Sequence, residues 1–242
     1  MELYEGVEII ESYPALYIEQ IDAIVISDLH LGYESIAAEG GVMLPKVQLE
    51  DAIRKMQKIV KLKESRRIII CGDIKHEFSE TTYHESMEVI DFIDFLHEAF
   101  EEVLLIKGNH DTFINRVARR KDVKVYDRHS EGGFLFIHGD KDIDLNIKGK
   151  FLIMGHEHPS IVLYDSINRE KMKCFLYGEY GGKNIIVMPA FSYFALGSDI
   201  NTMSPLSPIL RRMGIGSFRA IGLIEGESLL SFPEIDRISN LS

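Results

Sequence analysis

Five short apolar runs in this sequence each end in side chains that can bind a metal ion or transfer a proton. The polar residues at these junctions are Asp28 and His30 after AIVIS, Asp73 after RIIICG, Asn109, His110 and Asp111 after VLLIKG, His138 after FLFI, and His156 and His158 after FLIMG. Continuous apolar runs of this length are typical of strands that are buried on both faces. Parallel strands share a carboxyl-terminal edge, where α/β proteins bind their ligands. We therefore expect these side chains to meet in one crevice of a mostly parallel sheet.

The side chains at the junctions form a chemically consistent set. Carboxylate and amide oxygens together with imidazole nitrogens suit Mn, Fe, Zn, Ni or Mg better than a soft metal. Two such ions about 3.5–4 Å apart need a bridging carboxylate, and the pair then activates a bridging hydroxide and orients a phosphoryl group. A nearby histidine that binds no metal can protonate the leaving oxygen. The set therefore predicts a dinuclear metal-dependent phosphoesterase with two divalent ions as cofactors.

Each motif taken alone also has an ordinary interpretation. Asp28 and His30 are compatible with a turn that exposes a histidine, and Gly72-Asp73 is compatible with common turn chemistry at a strand end. On an extended segment, His156 and His158 face one side while Glu157 between them faces the other, so we exclude Glu157 as a ligand. The occurrence of all five motifs in this order is very unlikely to be a coincidence.

In order and spacing, the five motifs resemble the signature of the calcineurin-like metallophosphoesterase superfamily over residues 23–158. Three further stretches, SDLHLGYE, GDIKHEF and MPAFSYFALGSDIN, are similar to the small family whose bacterial members are called DNA ligase-associated metallophosphoesterases. The resemblance implies an α/β fold, a four-layer α-β-β-α sandwich of two mixed sheets flanked by helices. We expect no long insertion and no carboxyl-terminal capping domain of the kind that the double-strand-break nucleases of this superfamily carry.

The resemblance also implies roles for individual residues. The ligands of the first metal ion would be Asp28, His30 and His158, those of the second Asn109, His138 and His156, and the bridging ligand Asp73. His110 would be the general acid and, with Asn109, a contact of the scissile phosphate. Asp111 would support His110 by fixing its tautomer. We expect Mn²⁺ in both sites, with Fe, Zn and Ni as alternatives.

The expected activity is that of a phosphodiesterase on nucleotide or nucleic-acid diesters, with attack by a metal-bridging hydroxide and His110 as general acid. A phosphomonoesterase or phosphoprotein phosphatase on the same site remains an alternative, because the core motifs barely discriminate between ester classes. A non-catalytic metal-binding scaffold is a remote alternative, since that use normally goes with eroded ligands. An association with DNA repair rests on the family name alone.

Residues outside the ordered motifs carry weaker signals. His76 shares the crevice edge, so we predict a contact with the substrate phosphate, although loop packing is the alternative. Lys75 beside it is expected to be solvated. Tyr193 and Phe194 lie in an aperiodic stretch, where an apolar anchor is favoured over stacking on a base.

Charge and composition limit the partners and the compartment. The net charge of −11 argues against binding of nucleic acid by a basic surface, but metal ions would reverse the potential inside a cleft. Cys71 and Cys174 lie far apart, so we expect two reduced, buried thiols. No signal peptide and no apolar run of about 20 residues is found, which predicts a cytoplasmic protein without a membrane span.

The 242 residues are expected to form a single domain, residues 1–242, because no linker composition or internal repeat interrupts them. Helical spacing predicts a helix from about 45 to 62 and another from Thr82, as N-cap, to about 100. Alternation predicts an antiparallel pair over residues 15–19 and 23–27, and a late hairpin that turns at Glu225-Gly226.

Overall fold

A computed structural model of the protein describes residues 1–76, 83–112, 114–145, 149–164, 169–195 and 197–239. Thr82, predicted as an N-cap, lies outside the described residues. Among the described residues, no helix is both long and apolar enough to cross a lipid bilayer. Cys71 and Cys174 are buried free thiols, as predicted, and burial raises the pKa of both.

The first sheet contains the strands of the amino-terminal half, and its spatial order follows the order in the chain. Its strands are Glu2–Tyr4 (β1), Val7–Ile9 (β2), Leu16–Ile18 (β3), Ala23–Ile26 (β4), Arg67–Cys71 (β5), Glu102–Ile106 (β6) and Lys124–Tyr126 (β7). Strands β1 to β4 pair in antiparallel fashion, which confirms the predicted pair β3–β4. Strands β4 to β7 are parallel, so the apolar runs before Asp28, Asp73 and Asn109 end at the same edge.

The second sheet contains the remaining strands, and the strands Phe134–Ile137 and Phe151–Met154 lie next to each other in it and run parallel. Its strands are Arg128–Glu131 (β8), Phe134–Ile137 (β9), Phe151–Met154 (β10), Pro159–Tyr164 (β11), Arg169–Tyr180 (β12), Lys183–Val187 (β13), Ser198–Asp199 (β14), Arg219–Ile224 (β15) and Ser228–Glu234 (β16). The spatial order is β14-β11-β12-β13-β10-β9-β8, with β15 on β12 and β16 on β15. The pair β15–β16 is the predicted late hairpin.

The helices cover the outer faces of the two sheets, except the first one, whose residues belong to none of the apolar clusters. They are Tyr33–Glu39 (α1), Gln48–Leu62 (α2), Tyr83–Ala99 (α3), Ile114–Arg120 (α4), Pro208–Met213 (α5) and Ile235–Ser239 (α6). Helix α2 begins slightly later than predicted, and the reason is local. The carboxylate of Glu34 accepts the backbone N–H groups of Val47 and Gln48 at 2.9 and 2.7 Å, which satisfies amides at the start of the helix.

Three apolar clusters separate four layers. Neighbouring residues of one strand point to opposite faces, so Ile24 packs against helices α2 and α3 while Val25 packs between the sheets. In the second sheet Phe136 belongs to the cluster between the sheets, and Leu135 packs towards α5 and α6. The order helix, sheet, sheet, helix confirms the α-β-β-α sandwich of two mixed sheets.

The expectation that one mostly parallel sheet carries all five junctions is wrong. Strands β4, β5 and β6 belong to the first sheet, whereas β9 and β10 belong to the second. The two sheets are joined where these strands end: the amide of His156 donates to Asp28 Oδ2 at 3.1 Å, and the Nδ1 of His138 lies 3.2 Å from the carbonyl oxygen of Cys71. The crevice is therefore formed between the sheets.

Candidate metal centre

The first group of predicted ligands consists of Asp28, His30 and His158, whose ligand atoms all lie within 4.8 Å of one another. The Nε2 atoms of His30 and His158 are 3.2 Å apart, and the Nε2 of His158 is 3.2 Å from Asp28 Oδ1. Asp28 is fully buried. A carboxylate from β4 and an imidazole from β10 thus meet across the two sheets.

The second group consists of Asp73, His138 and His156, again with ligand atoms within 4.8 Å. The Nε2 of His138 lies 3.1 Å from Asp73 Oδ2 and 2.9 Å from Asn109 Oδ1. Because the Nδ1 of His138 can donate its proton to the carbonyl of Cys71, the Nε2 lone pair is directed at the other ligand atoms.

Asp73 lies between the two groups. Its Oδ2 is close to His138 in the second group and 3.9 Å from the Nε2 of His30 in the first. Its Oδ1 accepts the amide of His110 at 2.9 Å, which orients the carboxylate. This placement is the one required of a bridging ligand.

The donor atoms fit a pair of divalent cations. Two ligands bound about 2.1 Å from one ion, with an angle of roughly 90–110° between them, are about 3.0–3.4 Å apart. The separations of 3.2 Å between His30 and His158 and of 3.1 Å between His138 and Asp73 agree with that spacing. Since buried carboxylates are costly unless they are paired or bind a metal, the burial of Asp28 and Asp73 agrees as well.

The electrostatics of these groups reflect strong coupling. Burial alone raises the pKa of Asp28, but contacts with His158, His138 and the hydroxyl of Ser27 outweigh it, so its pKa is lowered. The pKa of Asp73 is lowered for the same reason, with His138 as the main partner. Burial opposes protonation of His138, yet the hydrogen bond to Asp73 and the charge of Asp28 raise its pKa to about 9.

Two further predicted ligands, His30 and His156, have lowered pKa values. Burial, followed by the nearby His158, lowers the pKa of His30 well below its ordinary value, and burial with the nearby His138 lowers that of His156. The Nδ1 of His30 is buried and has no hydrogen-bond partner among the described residues. Its ring is oriented instead by packing against the rings of His110 and His158, at centroid distances of 4.9 and 5.0 Å.

The backbone at the ligands is in a sparsely populated conformation. The predicted ligands with positive φ are Asp28 (56°), His30 (51°), Asp73 (49°), His156 (66°) and His158 (47°). Asp and His tolerate this region better than most residues, but it still costs about 1–3 kcal/mol each and is concentrated at functional sites. The turns that aim the ligands into the crevice are therefore formed by the ligand residues themselves.

Glycines are required at the junctions mainly because the loops are crowded. A Cβ at Gly155 would collide with the hydroxyl of Ser27 and lie 2.5 Å from Asp28 Oδ2. A Cβ at Gly108 would collide with the side chain and amide of Asp73. Only glycine allows these loops to approach closely enough for the ligands of both sheets to meet.

His110 lies beside the two ligand groups, and both its ring and the neighbouring Asp111 make defined contacts. Its Nδ1 contacts the carbonyl oxygen of His76, and its Nε2 lies 3.9 Å from Asp73 Oδ2. Asp111 accepts the amides of Gly108 and Ile74 at 2.9 and 3.0 Å through its two oxygens. Among the described contacts, therefore, the His76 carbonyl orients the His110 ring, and Asp111 joins the Asp73 loop to the His110 loop.

Asp111 is fully buried. Burial, followed by the negative charge of Asp73, raises the pKa of Asp111 to about 6. Its backbone hydrogen bonds oppose this shift. Both oxygens of the Asp111 carboxylate accept backbone amides, so the described contacts give Asp111 a role in joining two loops, and its effect on the tautomer of His110 stays a prediction.

His76 and Lys75 have different environments. The His76 ring lies 5.4 Å from the rings of both His30 and His110, and these three imidazoles have ligand atoms within 4.8 Å of one another. His76 is therefore in the crevice, as expected. Lys75 is fully buried, so the expectation of a solvated lysine is wrong.

Glu157 faces away from the ligands. Its buried carboxylate accepts the amides of Leu206 and Ser207 at 3.1 and 2.8 Å, and so ties the segment before α5 to the loop that carries His156 and His158. Burial raises the pKa of Glu157, while these two amides oppose the shift.

Several supporting residues were not predicted. The hydroxyl of Ser27 donates to Asp28 Oδ2 at 2.5 Å, and the amide group of Gln48 donates to the carbonyl of Leu29 and to the hydroxyl of Ser192 at 2.8 and 2.9 Å. The position of Ser27 next to Asp28 was a usable signal. The role of Gln48 depends on how α2 packs and has no signal in its sequence neighbourhood.

A cavity of about 190 Å³ adjoins His138 on the side of β8. Charged residues in its lining are Lys107, Arg128, Lys141, Asp127 and Asp140. Although the chain as a whole is acidic, this cavity gives the candidate metal centre a neighbouring space with three cationic side chains.

Comparisons with known proteins agree with this architecture. The model of the calcineurin-like phosphoesterase family matches residues 22–179. Among solved structures, the nuclease MPE of Pseudomonas putida aligns with 86% of this chain and 88% of its own, at a TM-score of 0.60 and 22% identity. The phosphoesterase Yfce of E. coli aligns with 70% of this chain and 80% of its own, at a TM-score of 0.43 and 13% identity. No curated protein matches the sequence significantly.

Proposed function

Because the chain belongs to the calcineurin-like phosphoesterase family and is thus a metal-dependent hydrolase of phosphoester bonds, we propose that it is a phosphodiesterase that acts on nucleotide or nucleic-acid diesters. The observation that carries this proposal is the meeting of two ligand groups around Asp73, with the Nε2 of His110 3.9 Å from Asp73 Oδ2. A phosphate bound at the two groups would then lie beside a histidine that can transfer a proton.

We assign one metal ion to each of the two ligand groups. Asp28, His30 and His158 would hold one divalent ion; Asn109, His138 and His156 would hold the other; Asp73 would contact both. The proposed ions are Mn²⁺, which accepts mixed oxygen and nitrogen ligands. Bound ions supply Lewis-acid polarisation of the phosphoryl group and a nucleophile from water at neutral pH.

His110 would donate the proton that the leaving oxygen needs. The Nδ1–H of His110 donates a hydrogen bond to the carbonyl of His76, so the proton available for transfer is carried on Nε2, which faces the ligand groups. Asp111 would act as a positioning residue, because it holds the amides of Gly108 and Ile74 and thereby sets the distance between the His110 and Asp73 loops.

The surroundings of the site favour a diester over a monoester. The cavity beside His138 provides a place for a second phosphate next to the scissile one, because the cations Lys107, Arg128 and Lys141 outnumber the two aspartates in its lining. The fold is similar to that of the nuclease MPE, which also supports a diester as the substrate. We also propose membership of the DNA ligase-associated family, on the stretches SDLHLGYE, GDIKHEF and MPAFSYFALGSDIN.

The test compares two chromogenic esters. Metal-stripped protein with Mn²⁺ added back should hydrolyse bis-p-nitrophenyl phosphate faster than p-nitrophenyl phosphate, and a chelator should abolish both reactions. A preference for the monoester would contradict the proposal and favour a phosphomonoesterase or phosphoprotein phosphatase. If the protein binds two ions but hydrolyses neither ester, the proposal is wrong and the protein is a non-catalytic scaffold.

A further inference from the structure

Three aromatic side chains continue the line of histidines outward from the candidate metal centre. We call Tyr33, Tyr193 and Phe194 the aromatic wall. The ring of Tyr33 lies 4.8 Å from that of His76 and stacks on Phe194 at 5.3 Å with an interplanar angle of 26°. Tyr193 meets Phe194 edge to face at 5.0 Å. Since His76 itself stacks on His110 at 5.4 Å, successive rings lead from the proposed general acid to the surface.

The exposure of the aromatic wall increases away from the site. Tyr33 and Phe194 are half-buried, and Tyr193 is 52% exposed. An apolar anchor whose only role is to hold a loop would be covered by the loop. Tyr193 leaves about half of an aromatic surface in contact with water beside a phosphoester site, which is the arrangement of an aromatic residue that receives a ligand.

The aromatic wall is held at a fixed distance from the ligands. The amide of Ser192 donates to the carbonyl of Asp28 at 3.0 Å, and the hydroxyl of Ser192 accepts the amide of Gln48. The ammonium of Lys173 donates to the carbonyl of Ala190 at 3.0 Å and also to that of Ser192. Tyr193 and Phe194 therefore follow directly on a segment that is attached to the loop of a predicted metal ligand.

We propose that the aromatic wall stacks a nucleobase of the substrate next to the scissile phosphate. This inference rests on the proposed phosphodiesterase function and deepens it, because it identifies a contact that a nucleotide makes through its base and that a diester without a base cannot make. Aromatic rings bind any base through its flat face. The wall therefore gives affinity for nucleotides without selecting a base.

The orientation of the substrate follows from the placement of the two neighbouring surfaces. The aromatic wall adjoins His76, which lies next to His30 and His110. The cavity that is lined by three cationic residues and by Asp127 and Asp140 adjoins His138 instead. A nucleotide strand that crosses the centre would place a base on one side of the scissile phosphate and a further phosphate on the other. The two contacts can be removed separately.

The experiment uses the full chain loaded with Mn²⁺ and two substrates that share one phosphodiester. One is thymidylyl-thymidine, and the other carries an abasic residue in place of each nucleoside. The test variants are Phe194→Leu, which keeps apolar volume but removes the flat ring, and Tyr193→Ala. The control is Tyr164→Ala, because Tyr164 is also an exposed tyrosine (55%) and lies on β11 outside the aromatic wall.

The expected result is that each test variant lowers kcat/KM for thymidylyl-thymidine by about 5- to 100-fold, the effect of losing one stacked base, and leaves kcat/KM for the abasic diester unchanged. Tyr164→Ala should change neither. Equal losses on both substrates would show a structural role, and no loss on either would show that the ring is not used; both results would overturn the inference while the proposed function stands. If the wild-type protein cleaves neither diester, the proposed function fails and the inference fails with it.

Discussion

The candidate metal centre and the aromatic wall lie side by side but are built differently. Four of the seven predicted ligands are buried and the other three are half-buried. A Cβ added at Gly108 or Gly155 would collide with a ligand or with the side chain that supports it. The aromatic wall comes from the start of α1 and from a loop, and its outermost member is half exposed. We therefore expect substitutions in the centre to abolish function and substitutions in the wall to change it by degrees.

The largest effect is expected from Asp73→Ala, because Oδ2 of Asp73 lies near the Nε2 atoms of His30 in the first ligand group and His138 in the second. The variant should lose bound Mn²⁺ and at least about 10³-fold of diester turnover, since metal ions supply several kcal/mol of transition-state stabilisation. Metal content by atomic spectroscopy and kcat with bis-p-nitrophenyl phosphate measure the two losses. Asp94→Ala, at an exposed aspartate that pairs with Lys121, is the control and should retain both.

His110→Ala should separate proton transfer from metal binding. The variant is expected to keep both ions, because the ligand groups do not need the His110 ring, and to lose about 10²-fold or more in kcat on a diester with a poor leaving group. On bis-p-nitrophenyl phosphate the loss should be smaller, because p-nitrophenolate leaves without a proton. Equal rates for wild type and variant on the poor leaving group would contradict the role of His110.

Gly155→Ala should damage the centre without removing a ligand. The added Cβ would collide with Ser27, which donates a hydrogen bond to the ligand Asp28. Because the loss of such a hydrogen bond to a ligand weakens metal binding, we expect a Mn²⁺ affinity about 10- to 100-fold weaker. The crowding should also lower the free energy of unfolding by about 1–3 kcal/mol. Titration calorimetry and thermal unfolding measure these changes. Gly181→Ala is the control, because the space around Gly181 is open and only its φ of 59° resists a side chain. If both variants bind Mn²⁺ equally, the crowding of the loops is unimportant.

The pH dependence of metal binding should follow His138. In the metal-free protein its pKa is raised from 6.5 to about 9, so its contribution to stability is fully present below pH 6.5 and is lost as the pH rises through 9. A metal ion binds neutral imidazole and displaces that proton. The apparent Mn²⁺ affinity should therefore rise by about tenfold per pH unit between pH 7 and 9. Calorimetry in buffers of different ionisation enthalpy counts the protons released, and zero release at pH 7 would contradict this assignment.

The positions of the predicted metal ligands could be read from the sequence, because each is set by the few residues that precede it in the chain. Asp28, Asp73, Asn109, His138 and His156 each follow a short apolar run, and such a run ends at the edge of a sheet wherever that sheet lies. The division of these runs between two sheets could not be derived from periodicity, because parallel strands in either sheet have the same pattern. The layer order came from the resemblance instead.

The contacts around the site depend on packing and were predicted less well. The carboxylate of Asp111 is used by backbone amides, Lys75 is buried, and Tyr33 joins the site from a short helix that was not predicted. The positive φ angles at Asp28 and His158 likewise have no sequence signal beyond residue types that tolerate them. These contacts and backbone angles depend on the packing of loops that are far apart in the sequence.

The most direct test of the central claim is a titration of metal-stripped protein with Mn²⁺, in which bound ion and diester hydrolysis are measured in the same samples. Two ions should bind per chain, and turnover of bis-p-nitrophenyl phosphate should reach its maximum only when both are bound. Binding of a single ion, or full turnover before the second ion binds, would contradict the claim that the junctions of the two sheets form a dinuclear phosphodiesterase site.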